Sequence, residues 1–375
     1  MDLAAPVQIR LDTPNMSKKE KLLIVSCSTG SGHFRAGEAL RLSCQKMYPE
    51  IQVQHIDLAD YLSGFARTFS VSSYNVLIKH TPKAFKLLYF LTDKVFVQKI
   101  LGVLRPFFKF GAKMFFKKIE DYQPDYILST QFTPQLILPK NFPTPIDTLI
   151  TDYHAHQVWL SPNVRNFFVA SEETRNELKN LGLPSVVSGI PLHPRFFTPK
   201  DTANLKKELN INNDWPIILI MPIACGEIDV KEAINTIFSY NKNVNVVAIS
   251  GKNNKKNFNE LEKIKSSGQK NFIIIKATPR IDDWMRVADI IVSKAGGLTI
   301  SEVIYLQKPL VVVNPIPGQE DYNTAYLEKN NYCLKADSND DLAKKIKLLL
   351  LNPDIIQKKS HPNASEIILK KILTD

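Results

Sequence analysis

The 375-residue chain has little of what secreted, fibrous or membrane-spanning proteins need. Its four cysteines show neither C-x-x-C spacing nor a zinc-like pairing with histidine, which argues against a disulfide framework and fits a reducing cytosol. The sequence contains no run of about 18 uninterrupted apolar residues, so no transmembrane helix is predicted. The first twenty residues also lack the apolar core of a signal peptide. Glycine is scarce, with 14 residues, so glycines that cluster are predicted to serve a purpose.

Acidic residues are nearly absent from one window of the chain. Residues 62–118 contain eleven Lys or Arg side chains and one acid, Asp93, so this window carries +10 of the formal net charge of +11. Aromatic and aliphatic residues are interleaved with the lysines at helix-like intervals, which is typical of helices that lie in the surface of an anionic membrane. The residues predicted to contact the membrane are Lys79, Lys83, Lys86, Phe107, Phe108, Lys109 and Lys113.

Two other interpretations of this basic window remain open in the sequence. A buried helix pair with a solvated lysine face has the same spacing of residues. Nucleic acid is the usual partner of a basic stretch, but no nucleic-acid-binding module is recognisable, and phosphate-backbone binding does not need so many phenylalanines. We therefore predict an anionic membrane surface, and no nucleic acid, as the partner.

Short apolar runs alternate with helical patterns along the chain, which predicts an α/β fold with parallel sheets. A loose polar leader is expected at 1–19, and a Lys/Asn-rich stretch near 192–214 separates two series of runs. We predict domains at 20–195 and 196–375, with the last helix packing back on the first domain. The predicted strands lie at 21–27, 51–55, 126–129, 148–151 and 166–170, then at 217–221, 244–250, 271–275, 290–293 and 310–313.

The first chemical motif is STGSGH, residues 28–33, between a predicted strand and a helix predicted over 34–47. Two glycines permit a tight turn, and the open N–H groups of the helix favour anions. The motif is neither G-x-G-x-x-G nor a P-loop, and a plain strand-to-helix turn is the alternative. His33 favours a site, because its imidazole is placed over the carboxyl edge of the sheet, where α/β folds bind ligands.

The second motif is SKAGGLTISE, residues 293–302, which follows a predicted strand and opens a helix. A glycine pair at a helix N-terminus is suited to binding phosphate. Glu302, one turn into the helix, is placed to reach a sugar hydroxyl. The alternative is a capping box from Thr299 to Glu302, and the two interpretations are compatible.

The third motif is NPIPGQEDYN, residues 314–323, at the end of a predicted strand. Its prolines predict an extended loop that presents Gln319 and Glu320 at a carboxyl edge. An amide and a carboxylate together form a clamp for sugar hydroxyls. An ordinary polar surface loop is the alternative.

Asp152, His154 and His156 follow the strand predicted at 148–151. Two histidines two residues apart, with an aspartate, raise the possibility of zinc, but no third ligand has suitable spacing. We therefore predict no metal site. These side chains are expected on the acceptor side of a cleft, with Trp159 as an apolar wall.

Six segments resemble, in the same order, the family of monogalactosyldiacylglycerol synthases and processive diacylglycerol glucosyltransferases, within glycosyltransferase family 28. More remotely, they resemble the bacterial transferase that adds N-acetylglucosamine to lipid-linked muramoyl pentapeptide. The resemblance implies a GT-B fold, in which two Rossmann-like parallel-sheet domains face each other across a cleft. The segments, between about residues 21 and 327, are TGSGHFRAGEAL, TDYHAHQVWLSP, FVASEETRNEL, SGIPLHPRF, SKAGGLTISE and NPIPGQEDYN.

The resemblance further implies an inverting, metal-independent hexosyltransferase that needs no cofactor. Its expected donor is UDP-glucose or UDP-galactose, and its expected acceptor is diacylglycerol or a related glycolipid. Such an enzyme works as a peripheral protein on the cytoplasmic face of a membrane.

The resemblance also assigns roles to individual residues. His33, Asp152 and His154 are the expected catalytic groups, with His33 or Asp152 accepting the proton. The turn at Gly296 is expected to bind the diphosphate of UDP, and Glu302 is expected to bind the ribose. Gln319 and Glu320 are expected to contact the donor sugar, and residues 279–281 are expected to lie near the uracil. The full set expected to bind the donor is Gly32, Gly226, Arg280, Ile281, Lys294, Gly296, Gly297, Leu298, Thr299, Glu302, Gln319 and Glu320.

One departure from the family pattern leaves alternatives open. Family members usually have a glycine-rich turn after the first strand of the second domain, where this chain has PIACGE, residues 222–227, and keeps only Gly226. A catalytically inactive, membrane-docked binder of nucleotide sugars is therefore one alternative. Transfer of N-acetylglucosamine to a polyprenyl-linked acceptor is another.

Overall fold

The structure is a computed structural model that describes most of the chain. Lys79, Gly226, the side chain of Phe107 and all but the last residue of the predicted leader lie outside the described residues. The described residues are 19–28, 30–67, 81–94, 96–222, 228–251, 255–266, 268, 270–358 and 362–374.

The described residues form two sheets of six parallel strands each. The first sheet contains β1 (Lys21–Ser26), β2 (Gln52–Asp57), β3 (Tyr126–Ser129), β4 (Ile146–Leu149), β5 (Val164–Val169) and β6 (Ser185–Val187). The second contains β7 (Ile217–Ile220), β8 (Asn245–Ile249), β9 (Phe272–Ile275), β10 (Ile290–Ser293), β11 (Leu310–Val312) and β12 (Leu334–Lys335). The strand orders are β2-β1-β3-β4-β5-β6 and β12-β11-β10-β7-β8-β9.

Helices connect the strands and cover the sheets. Those before β7 are α1 (Ser31–Met47), α2 (Gly64–Arg67), α3 (Pro82–Thr92), α4 (Phe96–Phe110), α5 (Lys113–Tyr122), α6 (Thr133–Ile137), α7 (Glu172–Asn180) and α8 (Thr202–Glu208). Those after it are α9 (Val230–Tyr240), α10 (Lys255–Ser266), α11 (Ile281–Val287), α12 (Gly297–Tyr305), α13 (Gln319–Lys329), α14 (Asn339–Leu351) and α15 (Ala364–Thr374). Within the described residues, no helix has both the length and the apolarity needed to cross a bilayer.

The central strands are apolar without alternation because protein covers both of their faces. Leu22, Leu23, Ile24 and Val25 of β1, for example, are all fully buried. One apolar cluster extends across both sheets and includes Leu40 of α1, Leu298 of α12 and Ile368 of α15. The last helix therefore packs against α1, beside the first sheet.

The predicted α/β class and GT-B architecture are confirmed, with small differences at the level of elements. Strand β4 begins at Ile146, two residues before the predicted start, so the TDYHAH segment forms a loop beyond its carboxyl end. Strands β6 and β12 were not predicted because they have three and two residues and are only half-buried. Helix α1 begins at Ser31, which places His33 in its first turn.

Candidate active site

Both sheets reverse their strand order next to a glycine-rich motif. In the first sheet β1 lies between β2 and β3, and in the second β7 lies between β10 and β8. Parallel sheets bind ligands at the carboxyl ends of strands at such switch points. Helix α1 follows β1 and α12 follows β10, so the N-termini of both helices lie at these edges.

The two edges are in direct contact at Gly297. A Cβ atom added there would lie 2.0 Å from the backbone oxygen of Thr151, in the loop after β4. A Cβ added at Gly32, in the first turn of α1, would lie 3.9 Å from the Leu298 Cβ. Only glycine therefore permits the N-terminus of α12 to approach the first domain so closely.

Substitution of Gly297 tests this approach. The Gly297→Ala variant is expected to lose about 10²-fold in kcat/KM, because a displacement of about 1 Å at reacting groups has an effect of this size. Gly64→Ala is the control, since nothing lies within 4 Å of a Cβ added at that position. Steady-state kinetics measure kcat/KM of the two variants. Equal values for Gly297→Ala and Gly64→Ala would show that the close contact between Gly297 and Thr151 does not affect activity.

Asp152 is buried at this contact and joins the two domains. Its Oδ1 and Oδ2 accept hydrogen bonds from Gln319 Nε2 at 3.1 and 2.9 Å, and Oδ1 also accepts one from Asn323 Nδ2 at 3.2 Å. Asn323, which the sequence did not single out, also donates to Ala295 O at 3.0 Å and accepts from Tyr153 N at 2.8 Å. Burial raises the pKa of Asp152, although the two amides oppose the shift.

His33 is held in one tautomer by the backbone. Its Nδ1 lies 3.0 Å from the carbonyl oxygen of Thr130 and 2.9 Å from Thr151 Oγ1. A carbonyl oxygen only accepts hydrogen bonds, so Nδ1 carries the proton and Nε2 keeps its lone pair. Burial lowers the pKa of His33 to about 4, so the imidazole is neutral near pH 7 and Nε2 can accept a proton.

A buried hydrogen-bond network supports the His33 turn from behind. Ser26 Oγ lies 2.7 Å from His55 Nε2 and 3.2 Å from His33 O, and His55 Nδ1 lies 3.3 Å from Glu38 Oε2. A Cβ added at Gly37 would lie 2.5 Å from His55 Nε2 and 2.6 Å from Ser26 Oγ, so no substrate reaches this serine. The Ser–His–Glu arrangement therefore positions α1 and is not a hydrolytic triad.

An apolar cavity of about 240 Å³ lies beside His33 and Asp152. Trp159 is buried and forms one wall, with its ring centroid 5.9 Å from that of His33. Most of the wall is apolar or aromatic, and α3 provides one side of it. The remaining lining residues are Phe85, Leu88, Tyr89, Thr92, Phe132, His156, Val158 and Gln319.

A larger cavity of about 630 Å³ lies on the other side of the first turn of α1, between the two domains. Ser31, Phe34 and Arg35 line it from α1, and Leu298 and Glu302 line it from α12. Glu302 is 1% exposed; its Oε1 pairs with Arg35, and its Oε2 has no hydrogen-bond partner among the described residues. A buried carboxylate oxygen without a partner is suited to accept a hydrogen bond from a ligand hydroxyl.

The alternative interpretation, a capping box from Thr299 to Glu302, is wrong, because α12 begins earlier than that interpretation requires. Its N-cap is Gly296, in extended conformation, so Thr299 already lies inside the first turn, half-buried. Glu302 turns toward Arg35 and not back toward Thr299. The N–H of Gly296 donates to Lys294 O at 3.0 Å, so the open N–H groups of α12 begin at Gly297.

Lys294 and Glu320 form an ion pair beside that N-terminus. Lys294 Nζ contacts Glu320 Oε1, while Glu320 Oε2 accepts a hydrogen bond from Ile316 N at 2.8 Å. Gly318, with φ +86°, forms the turn before α13, and a Cβ added there would lie 2.8 Å from Tyr89 Cγ. The turn before α13 is therefore packed directly against α3, and Gln319 and Glu320 lie in the first turn of α13, not in the extended loop that the sequence predicted.

His154 points away from both cavities into a charged cluster. Its Nε2 lies 2.8 Å from Asp93 Oδ2, its Nδ1 lies 3.1 Å from Glu177 Oε2, and its ring stacks on Tyr322 at 4.0 Å. Burial alone lowers the pKa of His154, but the two carboxylates outweigh this effect and raise it to about 9. Among the described residues no group of three or more His, Cys, Asp or Glu side chains is arranged to hold a metal ion.

The residues expected near the uracil take different places. Ile281 and the neighbouring Pro279 line the larger cavity. Arg280 is the N-cap of α11, and its guanidinium pairs with Asp283 and Glu208, each at 2.6 Å. The structure therefore brings Ile281 to the cavity, whereas Arg280 is engaged on the outer side.

Helices α3 to α5 expose apolar side chains beside lysines. Lys83, Lys86, Lys109 and Lys113 are exposed, and Lys86 pairs with Asp321 of α13 at 3.0 Å. Large apolar residues on the same helices also face solvent, which does not fit a buried helix pair, although Phe85, Val97 and Phe115 are buried and Phe108 is half-buried. The exposed apolar residues are Leu87, Leu88, Phe90, Leu91, Phe96, Ile100, Val103, Phe110 and Met114, the most exposed being Val103 at 79% and Phe110 at 75%.

Solved structures share this two-domain architecture, which defines a GT-B-like protein. The UDP-GlcNAc 2-epimerase of Neisseria meningitidis, solved with UDP-GlcNAc, matches with a TM-score of 0.62 and 15% identity over 95% of this chain and all of that one. MurG of Acinetobacter baumannii matches with a TM-score of 0.59 and 14% identity over 95% of this chain and all of that one. Likeness at this level of identity concerns the fold alone.

Sequence comparisons identify the family. The family model of monogalactosyldiacylglycerol (MGDG) synthase matches residues 33–192, and that of the glycosyltransferase family 28 C-terminal domain matches residues 227–372. The processive diacylglycerol beta-glucosyltransferase of Bacillus subtilis is 26% identical over 96% of both chains. That of Bacillus mycoides is 26% identical over 89% of this chain and 87% of its own. The chain is therefore a glycosyltransferase with an MGDG synthase domain at residues 33–192 and a glycosyltransferase family 28 C-terminal domain at residues 227–372.

Proposed function

We propose that the protein transfers glucose or galactose from a UDP-sugar to the hydroxyl of diacylglycerol or a related glycolipid at a membrane surface. The transfer inverts the anomeric carbon and uses neither a metal ion nor a cofactor. The MGDG synthase domain and the activity of the Bacillus relatives on diacylglycerol support the lipid acceptor. The UDP-sugar donor is supported by the family 28 C-terminal domain.

The observation that carries this proposal is the meeting of two unlike cavities at the first turn of α1. Ser31 and Phe34 of that turn face the larger cavity with the unpartnered Glu302 oxygen, and His33 faces the apolar cavity. A nucleotide in the first and a lipid hydroxyl in the second would place the anomeric carbon near His33. The first turn of α1 thus separates the donor cavity from the acceptor cavity, and it supplies His33, which lies between donor and acceptor.

The proton of the acceptor hydroxyl passes to His33 Nε2 in this mechanism. The neutral, Nδ1-protonated imidazole has its lone pair directed away from Thr130, as a general base requires. Asp152 is the alternative base, and its contacts with Gln319 and Asn323 also hold the two domains in register.

The departing UDP is stabilised by backbone groups of this chain. The N-terminus of α12 offers the open N–H groups that begin at Gly297 and the positive end of the helix dipole. Such preorganised donors stabilise developing charge without rearranging during the reaction. Lys294, held beside them by Glu320, adds a positive charge.

Helix α3 connects the apolar cavity to the proposed membrane surface. Leu88 lines the cavity and is also 45% exposed, and the exposed Leu87 and Leu91 lie on the same helix. A lipid that enters along α3 would keep its chains in the bilayer and place its hydroxyl near His33. From the family resemblance we further propose that the enzyme is bound peripherally on the cytoplasmic face of that membrane.

A turnover assay tests the proposal and separates it from the alternatives. Purified protein is incubated with UDP-glucose, UDP-galactose or UDP-N-acetylglucosamine and with vesicles that contain either diacylglycerol or a polyprenyl-linked acceptor, and mass spectrometry identifies the lipid products. We expect hexosyl-diacylglycerol from one of the first two donors. Product only with a polyprenyl-linked acceptor, or UDP binding without any turnover, would contradict the proposed reaction.

The donor site makes its own prediction through Glu302. Glu302→Ala should weaken UDP binding by about 1–3 kcal/mol, because the ribose hydroxyls lose their buried acceptor. Calorimetry with UDP measures this loss, and Glu328→Ala, an exposed glutamate on α13, is the control. An unchanged dissociation constant in Glu302→Ala would remove the donor assignment.

A further inference from the structure

Arg35 lies at the larger cavity, the proposed donor site. It belongs to one domain, and the Glu302 carboxylate that it contacts belongs to the other. It is on α1 of the first domain, and Glu302 is on α12 of the second. Arg35 Nη2 contacts Glu302 Oε1, and the arginine side chain lines the cavity with 37% of its surface exposed. The ion pair therefore crosses the cleft at the point where the nucleotide is proposed to bind.

The two oxygens of Glu302 are in different situations. Oε1 is occupied by Arg35, and Oε2, also buried, has no hydrogen-bond partner within the described parts of the chain. A carboxylate fixed through one oxygen presents the other in a defined direction, which suits two adjacent hydroxyls of a ribose. The guanidinium thus determines where the free oxygen points.

The charges around Glu302 make Arg35 the main source of compensation. Burial raises the pKa of Glu302 to about 6, and the charge and hydrogen bond of Arg35 oppose that rise. Asp282 of α11 adds a smaller rise, and it is itself paired with Lys200 Nζ at 2.9 Å. The other charged or titratable side chains that line the cavity are Glu38, His193 and Arg195.

We propose that Arg35 is a positioning residue for donor binding, which holds the Glu302 carboxylate ionised and directed at the ribose of the UDP-sugar. This inference rests on the proposed function, since it assumes that Glu302 binds the donor. Donor recognition then needs both domains, because the first domain supplies the counter-ion of a carboxylate in the second.

The test measures UDP-glucose affinity against pH by calorimetry. UDP-glucose is the probe because both of its phosphates are esterified and keep their charge between about pH 5 and 8. In the unsubstituted protein, affinity should fall as pH falls through about 6, where Glu302 gains a proton. In Arg35→Gln, affinity at pH 7 should fall about tenfold, and the midpoint of the pH profile should rise by about one unit.

Three further variants make the result specific. Arg35→Lys retains the charge and should restore the midpoint of the pH profile. Arg175→Gln removes an arginine from an exposed ion pair with Glu172 on α7 and should change neither the affinity nor the profile. In a Glu302→Ala background, Arg35→Gln should have no further effect, because the carboxylate that it positions is gone.

The possible failures are distinguishable. If Glu302→Ala leaves UDP-glucose affinity unchanged, the donor assignment in the proposed function is wrong. If Glu302→Ala weakens binding but Arg35→Gln changes neither affinity nor the pH midpoint, the role of Arg35 is overturned. An equal loss from Arg35→Gln with and without Glu302 would also overturn it, since Arg35 would then act on the phosphates directly.

Discussion

Replacing His33 with alanine is expected to lower kcat by about 10²–10⁴-fold, with little change in the dissociation constant for UDP. The imidazole faces the apolar cavity and not the larger cavity proposed for the nucleotide. Its loss therefore removes proton transfer and leaves the donor contacts intact. Steady-state kinetics with diacylglycerol vesicles and calorimetry with UDP measure the two quantities. Because the pKa of His33 lies near 4, its own titration should leave the wild-type rate unchanged between about pH 6 and 8.

Thr151→Val is the matched control for His33. It removes the hydroxyl 2.9 Å from His33 Nδ1 but leaves the Thr130 carbonyl oxygen to hold the same tautomer. Its kcat should therefore fall far less than that of His33→Ala. Near-normal turnover in His33→Ala would contradict its role as general base and favour Asp152, a carboxylate that lines the same cavity.

Reversal of four lysines to glutamate should abolish sedimentation of the protein with vesicles that contain anionic lipid. Lys83, Lys109, Lys113 and Lys117 are exposed on α3 to α5, and each contributes about 1 kcal/mol near such a surface. Lys86 is left unchanged because it forms an ion pair with Asp321 of α13, the helix that begins with Gln319 and Glu320. For the unsubstituted protein, binding should weaken as salt rises, since screening shortens the reach of each charge.

A second reversal, with the same change of charge, provides the control. Lys231, Lys242, Lys263 and Lys265 are exposed in the second domain, and their reversal should leave vesicle binding largely intact. In the α3–α5 variant, activity on vesicles should fall while UDP affinity and activity on a soluble short-chain acceptor survive. Equal binding of the unsubstituted protein to neutral and anionic vesicles at every salt concentration would contradict electrostatic docking.

Patterns within short stretches of sequence were enough to predict the architecture. Central strands such as β1 and β10 are covered on both faces, so each appears as an apolar run whatever the rest of the chain does. Glycine clusters after such runs mark the turns at the carboxyl edge, which is why the segments at His33 and Gly297 could be identified. The two-residue strand β12 has no such signal, because its pairing depends on β11.

The composition of residues 62–118 likewise predicted a surface that the structure partly describes. Exposed Val103, Phe110 and Met114 lie beside exposed lysines on α4 and α5. Which residues turn inward was not readable from that composition: Phe85 is buried beside the apolar cavity, and Phe108 packs on the core. The same helical spacing fits either orientation, and only the neighbours of each helix decide between them.

The sequence by itself determined the strands, the glycine turns and the kinds of side chain placed at the sheet edges, because these follow from local periodicity and backbone freedom. The tertiary structure alone decided the partners across the cleft. Arg35 and Glu302 are 267 positions apart, and Asp152 and Asn323 are 171 apart. No local pattern links such residues, since their contact exists only where the domains meet and Gly297 admits the backbone of Thr151.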